Sequence, residues 1–211
     1  MRKEFYRFQS YLLYIYIRET TCSTAPPLDE ETCERRRWPT NMRILWIVFY
    51  DILETNFFCN LPNSLKILQV KSSTGLHGDS FRHLPLSINT IRIIDCGITS
   101  SMVSTWPLSS LKSLKSLFLQ YNDLTEVPGN ISATLELLDL ASNRISTVLP
   151  LDHLVNLWRL ALSRNLLVKV PGELPPNLRY LELGYNGILY LPQDAFVGLA
   201  SLERLELNDN K

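Results

Sequence analysis

Few side chains in this sequence could do chemistry at close quarters. His77, Asp79 and His83 lie near one another and are types that pass protons or hold metal ions. Either task needs a third converging group and a pocket, which the surrounding sequence does not supply, so they read as loop residues. Arg35-Arg36-Arg37 has the charge for a processing or phosphate-binding site, yet a lone basic run is more simply a solvated one. Cys22, Cys33, Cys59 and Cys96 form no CxxC pair and no His/Cys cluster, so tetrahedral metal-ligand spacing is absent. Their even number permits three disulfide connectivities in an oxidising compartment, and the spacing selects none of them. Asn130-Ile131-Ser132 is a glycosylation acceptor motif, usable along the secretory route. No glycine-rich phosphate loop or nucleophile elbow is present. The expectation is a non-enzyme with no cofactor and no metal.

Charge narrows the partners. Twenty-one basic residues balance twenty-one acidic ones, so the summed field does not favour a polyanion, and nucleic acid is not an expected partner. No apolar run reaches the roughly 18 residues that span a bilayer, so no transmembrane segment is expected. Tyr11 to Ile17, behind Arg2, Lys3 and Arg7, and Ile44 to Tyr50, behind Met42-Arg43, are short enough for the apolar part of a signal peptide. Each reads equally as a buried strand or cap segment, and residues 1–41 could also be an artefact of gene prediction.

The elements that must position any site emerge from a repeat. Apolar residues fall at places one, four and six, Asn or Cys at nine, and an apolar residue at eleven. Leu114-Leu117-Leu119-Asn122-Leu124, Leu135-Leu138-Leu140-Asn143-Ile145, Leu157-Leu160-Leu162-Asn165-Leu167 and Leu178-Leu181-Leu183-Asn186-Ile188 all fit. Ile88-Ile91-Ile93-Cys96-Ile98 fits with cysteine at nine, and Leu202-Leu205-Leu207-Asn210 fits until Lys211. Leu65-Leu68-Val70 keeps the strand portion, with Ser73 at nine. Starts are 21 to 26 residues apart, the period of leucine-rich repeats, giving six repeats and a degenerate seventh.

The physics of the frame sets its residue types. Places three to five form a short strand, and apolar side chains at four and six point inward on a period of two. One coil alone cannot bury them; the next coil must cover them. The asparagine at nine, where the chain turns off the strand, can satisfy turn backbone groups, so Cys96, Asn122, Asn143, Asn165, Asn186 and Asn210 are expected to form a structural ladder. The fold class is α/β, a leucine-rich-repeat solenoid with a curved parallel sheet on the concave side and a mostly irregular convex side. Val127-Pro128-Gly129-Asn130 and Val170 to Pro176 predict extended or polyproline-like spans, and Asp194 to Leu199 predicts a turn of helix. Residues 1–60 read as a leader or atypical N-terminal cap, and residues 61–211 as the repeat domain. That domain lacks a capping repeat at its C-terminal end, which predicts a fragment or truncated gene product.

These residues resemble the extracellular leucine-rich-repeat proteins, especially small leucine-rich proteoglycans and Toll-like receptor ectodomains. Leu174-Pro175-Pro176-Asn177-Leu178 looks like the opening of their short repeats, with Leu61-Pro62-Asn63-Ser64-Leu65 and Leu84-Pro85-Leu86-Ser87-Ile88 similar to it. Phe196-Val197-Gly198-Leu199-Ala200-Ser201-Leu202 looks like the opening of the long type. The resemblance covers about residues 61–211 and implies an extracellular or secreted glycoprotein of matrix or receptor kind. The cysteines at 22, 33 and 59 are more dispersed than the compact cysteine cap of such families.

Recognition by such a scaffold falls to the side chains that leave the concave sheet, at places three, five, seven and eight. Aromatics and arginines supply most contact energy at protein interfaces. Phe118, Tyr121, Arg159, Arg164, Tyr180 and Tyr185 come from coils about 4.8 Å apart and are the expected binding patch for a protein ligand or a glycan. Aromatics that shield neighbouring backbone and charges that solvate the face are the bland reading of the same residues. A cytoplasmic repeat adaptor, or the repeat domain of a larger receptor kinase or phosphatase, are the alternatives to a secreted binding module.

Overall fold

The computed structural model describes residues 38–48 and 57–211, together with the backbone of two strands, Arg7–Phe8 and Leu12–Arg18. Cys22, Cys33 and Arg35-Arg36-Arg37 lie outside the described residues.

Among the described residues ten strands form one sheet in chain order: β1 (Arg7–Phe8), β2 (Leu12–Arg18), β3 (Met42–Val48), β4 (Ile67–Lys71), β5 (Thr90–Ile94), β6 (Ser116–Phe118), β7 (Leu137–Asp139), β8 (Arg159–Ala161), β9 (Tyr180–Glu182) and β10 (Arg204–Glu206). β1 and β2 are antiparallel, and every later pairing is parallel. Parallel neighbours that follow one another in sequence require a crossover after each strand, always on the same face, and that is a solenoid.

Register follows the burial pattern. Leu45, Leu68, Ile91, Leu117, Leu138, Leu160, Leu181 and Leu205 pair in succession along the place-four column. All but Leu205 are fully buried. A slip of one residue would turn each of them to water, so the column holds every strand in place. Met42, Leu45 and Ile47, all fully buried, occupy places one, four and six of a further coil, so the sheet continues upstream of residue 61. The Ile44–Tyr50 run is therefore strand as far as Val48, and of the run from Tyr11, Leu12 onward is strand β2.

The place-nine asparagines bind each coil to the one before it. Asn143 Nδ2 donates to the Leu119 carbonyl of the preceding coil and to its own Leu140, both at 2.9 Å, while Oδ1 accepts the Leu124 N–H at 3.0 Å. Asn122, Asn165, Asn186 and Asn210 repeat the pattern. Cys96 keeps part of it: its thiol donates to the carbonyls of Val70 and Ile94 at 3.7 and 3.2 Å. Burial pushes that thiol up to about 11, so it stays protonated and acts as a donor.

The convex side is largely irregular, with two departures from expectation. A short helix, α1 (Ser100–Ser104), forms behind Thr99, whose hydroxyl accepts the Met102 N–H. Asp194 to Leu199, expected as a helical turn, is instead a chain of separate turns, Ala195 N to Pro192 O, Val197 N to Asp194 O and Leu199 N to Phe196 O. Pro192 and Gly198 flank a segment too short to propagate a helix. At the N-terminal end the convex core is aromatic. Trp38, Phe57, Phe58, Phe81 and Trp106 touch in series, with centroid separations of 6.0, 5.2, 5.0 and 4.3 Å.

Candidate functional site

Place three and place five of the parallel strands form two rows on the concave face, half-buried for the most part, with Arg204 exposed and Ala161 buried. Backbone pairing sets Ser116, Leu137, Arg159, Tyr180 and Arg204 side by side, and likewise Phe118, Asp139, Ala161, Glu182 and Glu206. Arg159 and Tyr180 are therefore neighbours. Phe118 stands two strands from the Arg159 strand, with Leu137 and Asp139 between.

Several of the six expected binding residues are engaged within the chain. Arg159 Nη2 meets Glu182 Oε1 at 2.8 Å, with Nε at 3.1 Å from the same oxygen. Tyr180 takes the edge of Trp158 at 5.7 Å between centroids and lies 6.0 Å from the Arg179 guanidinium. Arg92 covers the Phe118 ring at 3.9 Å, and Arg164 covers Tyr185 at 4.1 Å. Tyr121 is 62% exposed and Tyr185 44%, which leaves them the open aromatics of the six. Two clusters result: Arg159 with Tyr180, and Arg164 with Tyr185. Phe118 and Tyr121 sit apart from both, on the strand β6 side.

Place eight has a feature that residue types alone did not reveal. Ser72, Asp95, Tyr121, Ser142, Arg164, Tyr185 and Asp209 all have φ between 48° and 57°. In all of them but Asp209 the left-handed turn lets the N–H bond the next coil, as in Tyr121 N to Ala141 O, Arg164 N to Gly184 O and Tyr185 N to Asn208 O. Aromatic and arginine side chains rarely adopt this conformation. One sequence signal was available: no β-branched residue occupies the column.

Asp139 is a second missed residue. It lies mid-sheet between Phe118 and Ala161, accepting hydrogen bonds from the Gln120 amide at 2.6 Å and the Ala141 N–H at 3.1 Å. Burial pushes its carboxyl above the usual aspartate range, opposed by those two bonds and by Arg159 and Arg92. Ala161, 1% exposed, is its paired neighbour on strand β8.

Away from the sheet, Asp79 pairs with Arg82 and not with a histidine. Among the described residues no cluster of His, Cys, Asp and Glu could hold a metal ion, and no helix is long and apolar enough to cross a membrane. Asn130, the acceptor of the glycosylation motif, donates its amide nitrogen to the Trp106 carbonyl at 2.7 Å. Cys59 is disulfide-bonded and Cys96 is free and buried.

Comparison with known proteins matches this geometry. The family described as "Leucine rich repeat" matches residues 174–211. Podocan-like protein 1 of Mus musculus is 38% identical over 86 residues, which is 41% of this chain and 14% of that protein. The match thus spans about a seventh of its relative. A chain of the octameric complex of Latrophilin 3 (Lec, Olf), Unc5D (Ig, Ig2, TSP1) and FLRT2 (LRR) superposes with a TM-score of 0.60 at 21% identity, over 83% of this chain and 70% of that one. The TLR13–ssRNA13 complex gives 0.61 at 23% identity, over 80% and 26%. The plant peptide hormone receptor RGFR1 in complex with RGF2 gives 0.58 at 23%, over 82% and 29%. At such identities these likenesses speak to fold. Repeat frame, stacked register and likeness together make the chain a leucine-rich-repeat solenoid that resembles extracellular-type leucine-rich-repeat proteins.

Proposed function

We propose that the chain is a non-enzymatic binding module that recognises a protein ligand through its concave sheet. Arg159 and Tyr180 form the centre of the surface and Arg164, Tyr185, Tyr121 and Phe118 its margin. The observation that carries this reading is the row of large aromatic and cationic side chains that pairing sets on adjacent strands, where neighbouring contacts already hold them in one orientation. Pre-oriented side chains lose less entropy on binding, and aromatics with arginine form the centres of protein interfaces. The balanced net charge favours a protein over a polyanion. FLRT2 and RGFR1, in the complexes named above, are each found with other proteins or a peptide partner, which supports the same use here.

We place this function outside the cell, in a matrix protein or receptor ectodomain. The disulfide at Cys59 suits an oxidising compartment, and Podocan-like protein 1 is the relative that points the same way. In this reading the coil that begins at Met42 opens the described solenoid, with the Trp38 indole donating to the Cys59 carbonyl at 3.0 Å.

Site-directed photo-crosslinking tests the surface. A photoreactive residue at Ser116 or Leu137, both in the concave row, should capture a cell-surface or matrix protein. The same residue at Asp152 or Asn156 on the convex side should not. Equal capture from both sides would refute the assignment.

A further inference from the structure

The flank where the chain leaves the sheet changes character along the solenoid. At place twelve the coils beginning at residues 88, 114 and 135 carry Thr99, Thr125 and Ser146, while the next two carry Val168 and Leu189. At place ten Asp123 and Arg144 form an ion pair, while the following coil has Leu166. Leu166, Val168, Leu189 and Tyr190 are 57, 58, 63 and 65% exposed. Leu166 and Val168 belong to an interior coil with described coils on both sides, so theirs is not the exposure of a chain end. The Leu189 N–H bonds the Val168 carbonyl at 3.4 Å, which brings the backbones of the two coils together at place twelve. Gly187, at place ten of the next coil, gives Val168 no cover: a Cβ there would be 3.9 Å from Val168 Cγ1.

Two cations flank these residues in the chain, Lys169 directly after Val168 and Arg164 two positions before Leu166. Lys169 and Arg164 are both exposed, and no ion pair joins either to a carboxylate among the described residues. On the same flank upstream, by contrast, Arg144 is paired with Asp123. An apolar centre flanked in the chain by uncompensated positive charge is complementary to a segment with apolar side chains flanked by carboxylates.

We propose that Leu166, Val168, Leu189 and Tyr190, with Lys169 and Arg164, form a second docking surface on the flank, sharing only Arg164 with the margin of the concave surface, for an acidic, apolar polypeptide segment. The apolar side chains of the segment lie on Val168 and Leu189 and its carboxylates meet Arg164 and Lys169.

The test uses the whole chain and a fluorescently labelled synthetic peptide alternating glutamate with leucine, followed by anisotropy. Saturable binding is expected, falling as salt is raised, with no competition from a lysine–leucine or a glutamate–serine peptide. Val168→Thr with Leu189→Thr installs the residue that two upstream coils already carry at this place, so folding is preserved, and it should weaken binding about tenfold or more. Arg164→Gln with Lys169→Gln should weaken it and flatten the salt dependence. Arg159→Ala with Tyr180→Ala, on the concave rows, should leave it unchanged, which keeps this surface distinguishable from the concave one. The proposal is overturned by absent saturable binding, by equal binding of either control peptide, by indifference to the threonine pair, or by self-association of the chain through the same residues.

Discussion

The guanidinium carbon of Arg164 stands 4.1 Å from the centroid of the Tyr185 ring on the next coil, and both residues hold left-handed backbone at φ 57° and 54°. The stacking joins two side chains that a flexible surface would leave to move independently. A double-mutant cycle of Arg164→Ala and Tyr185→Ala, read by urea unfolding, should show a coupling of about 0.5–1 kcal/mol. A coupling indistinguishable from zero would mean the pair is not stacked in solution.

Tyr121 isolates the effect of left-handed backbone, because it has φ 57° and a largely exposed ring. Tyr121→Gly should match or exceed the wild-type melting temperature, since relief of a conformation costing roughly 1 kcal/mol offsets the extra freedom of the unfolded chain. Tyr121→Val should fall below Tyr121→Ala by about 1 kcal/mol or more, because a β-branched side chain tolerates that region worst. Valine equal to alanine would contradict the backbone assignment.

Asn143 is 7% exposed and bonds backbone groups of two coils. Asn143→Ala strands the Leu124 N–H and removes a donor from the Leu119 and Leu140 carbonyls, which should cost about 3 kcal/mol in urea unfolding. Asn143→Cys should cost less, because the Cys96 thiol shows that a single donor at this place still serves two carbonyls.

Asp139 gives a pH dependence with a definite sign. Burial raises its folded-state pKa above the unfolded value of about 3.9. Folding therefore takes up protons, and this residue's contribution becomes less favourable as pH rises from the unfolded to the folded value. Asp139→Asn removes that slope, and with the Gln120 amide turned over its Nδ2 can donate to Gln120 Oε1 in place of the bond the carboxylate now accepts from Gln120 Nε2. The variant should melt at or above wild type at neutral pH and lose that advantage below the unfolded pKa. A variant less stable at pH 7 and equal at pH 3 would reverse the sign.

The solenoid was legible because every coil solves the same burial problem with the same residue types. Leu117, Leu138, Leu160 and Leu181 stack because the frame repeats, and Asn122 to Asn210 bond as they do because one place always meets the same backbone groups. The first described coil was harder to see: Met42, Leu45 and Ile47 keep the apolar places, but Tyr50 stands at nine. Helix α1 was missed because five residues carry no periodicity, and its cue was only the hydroxyl cap at Thr99. The concave columns could be written down in advance, whereas pairings such as Arg92 on Phe118 and Arg159 with Glu182 depend on how coils of 21 to 26 residues align, which spacing does not set.

The central claim is that recognition resides in the concave row around Arg159 and Tyr180. Its most direct test is the affinity of a captured protein partner for the Arg159→Ala/Tyr180→Ala double variant, measured beside a convex control such as His153→Ala. Affinity should fall at least about tenfold for the double variant and stay unchanged for the control. Full affinity in a folded double variant would contradict the account.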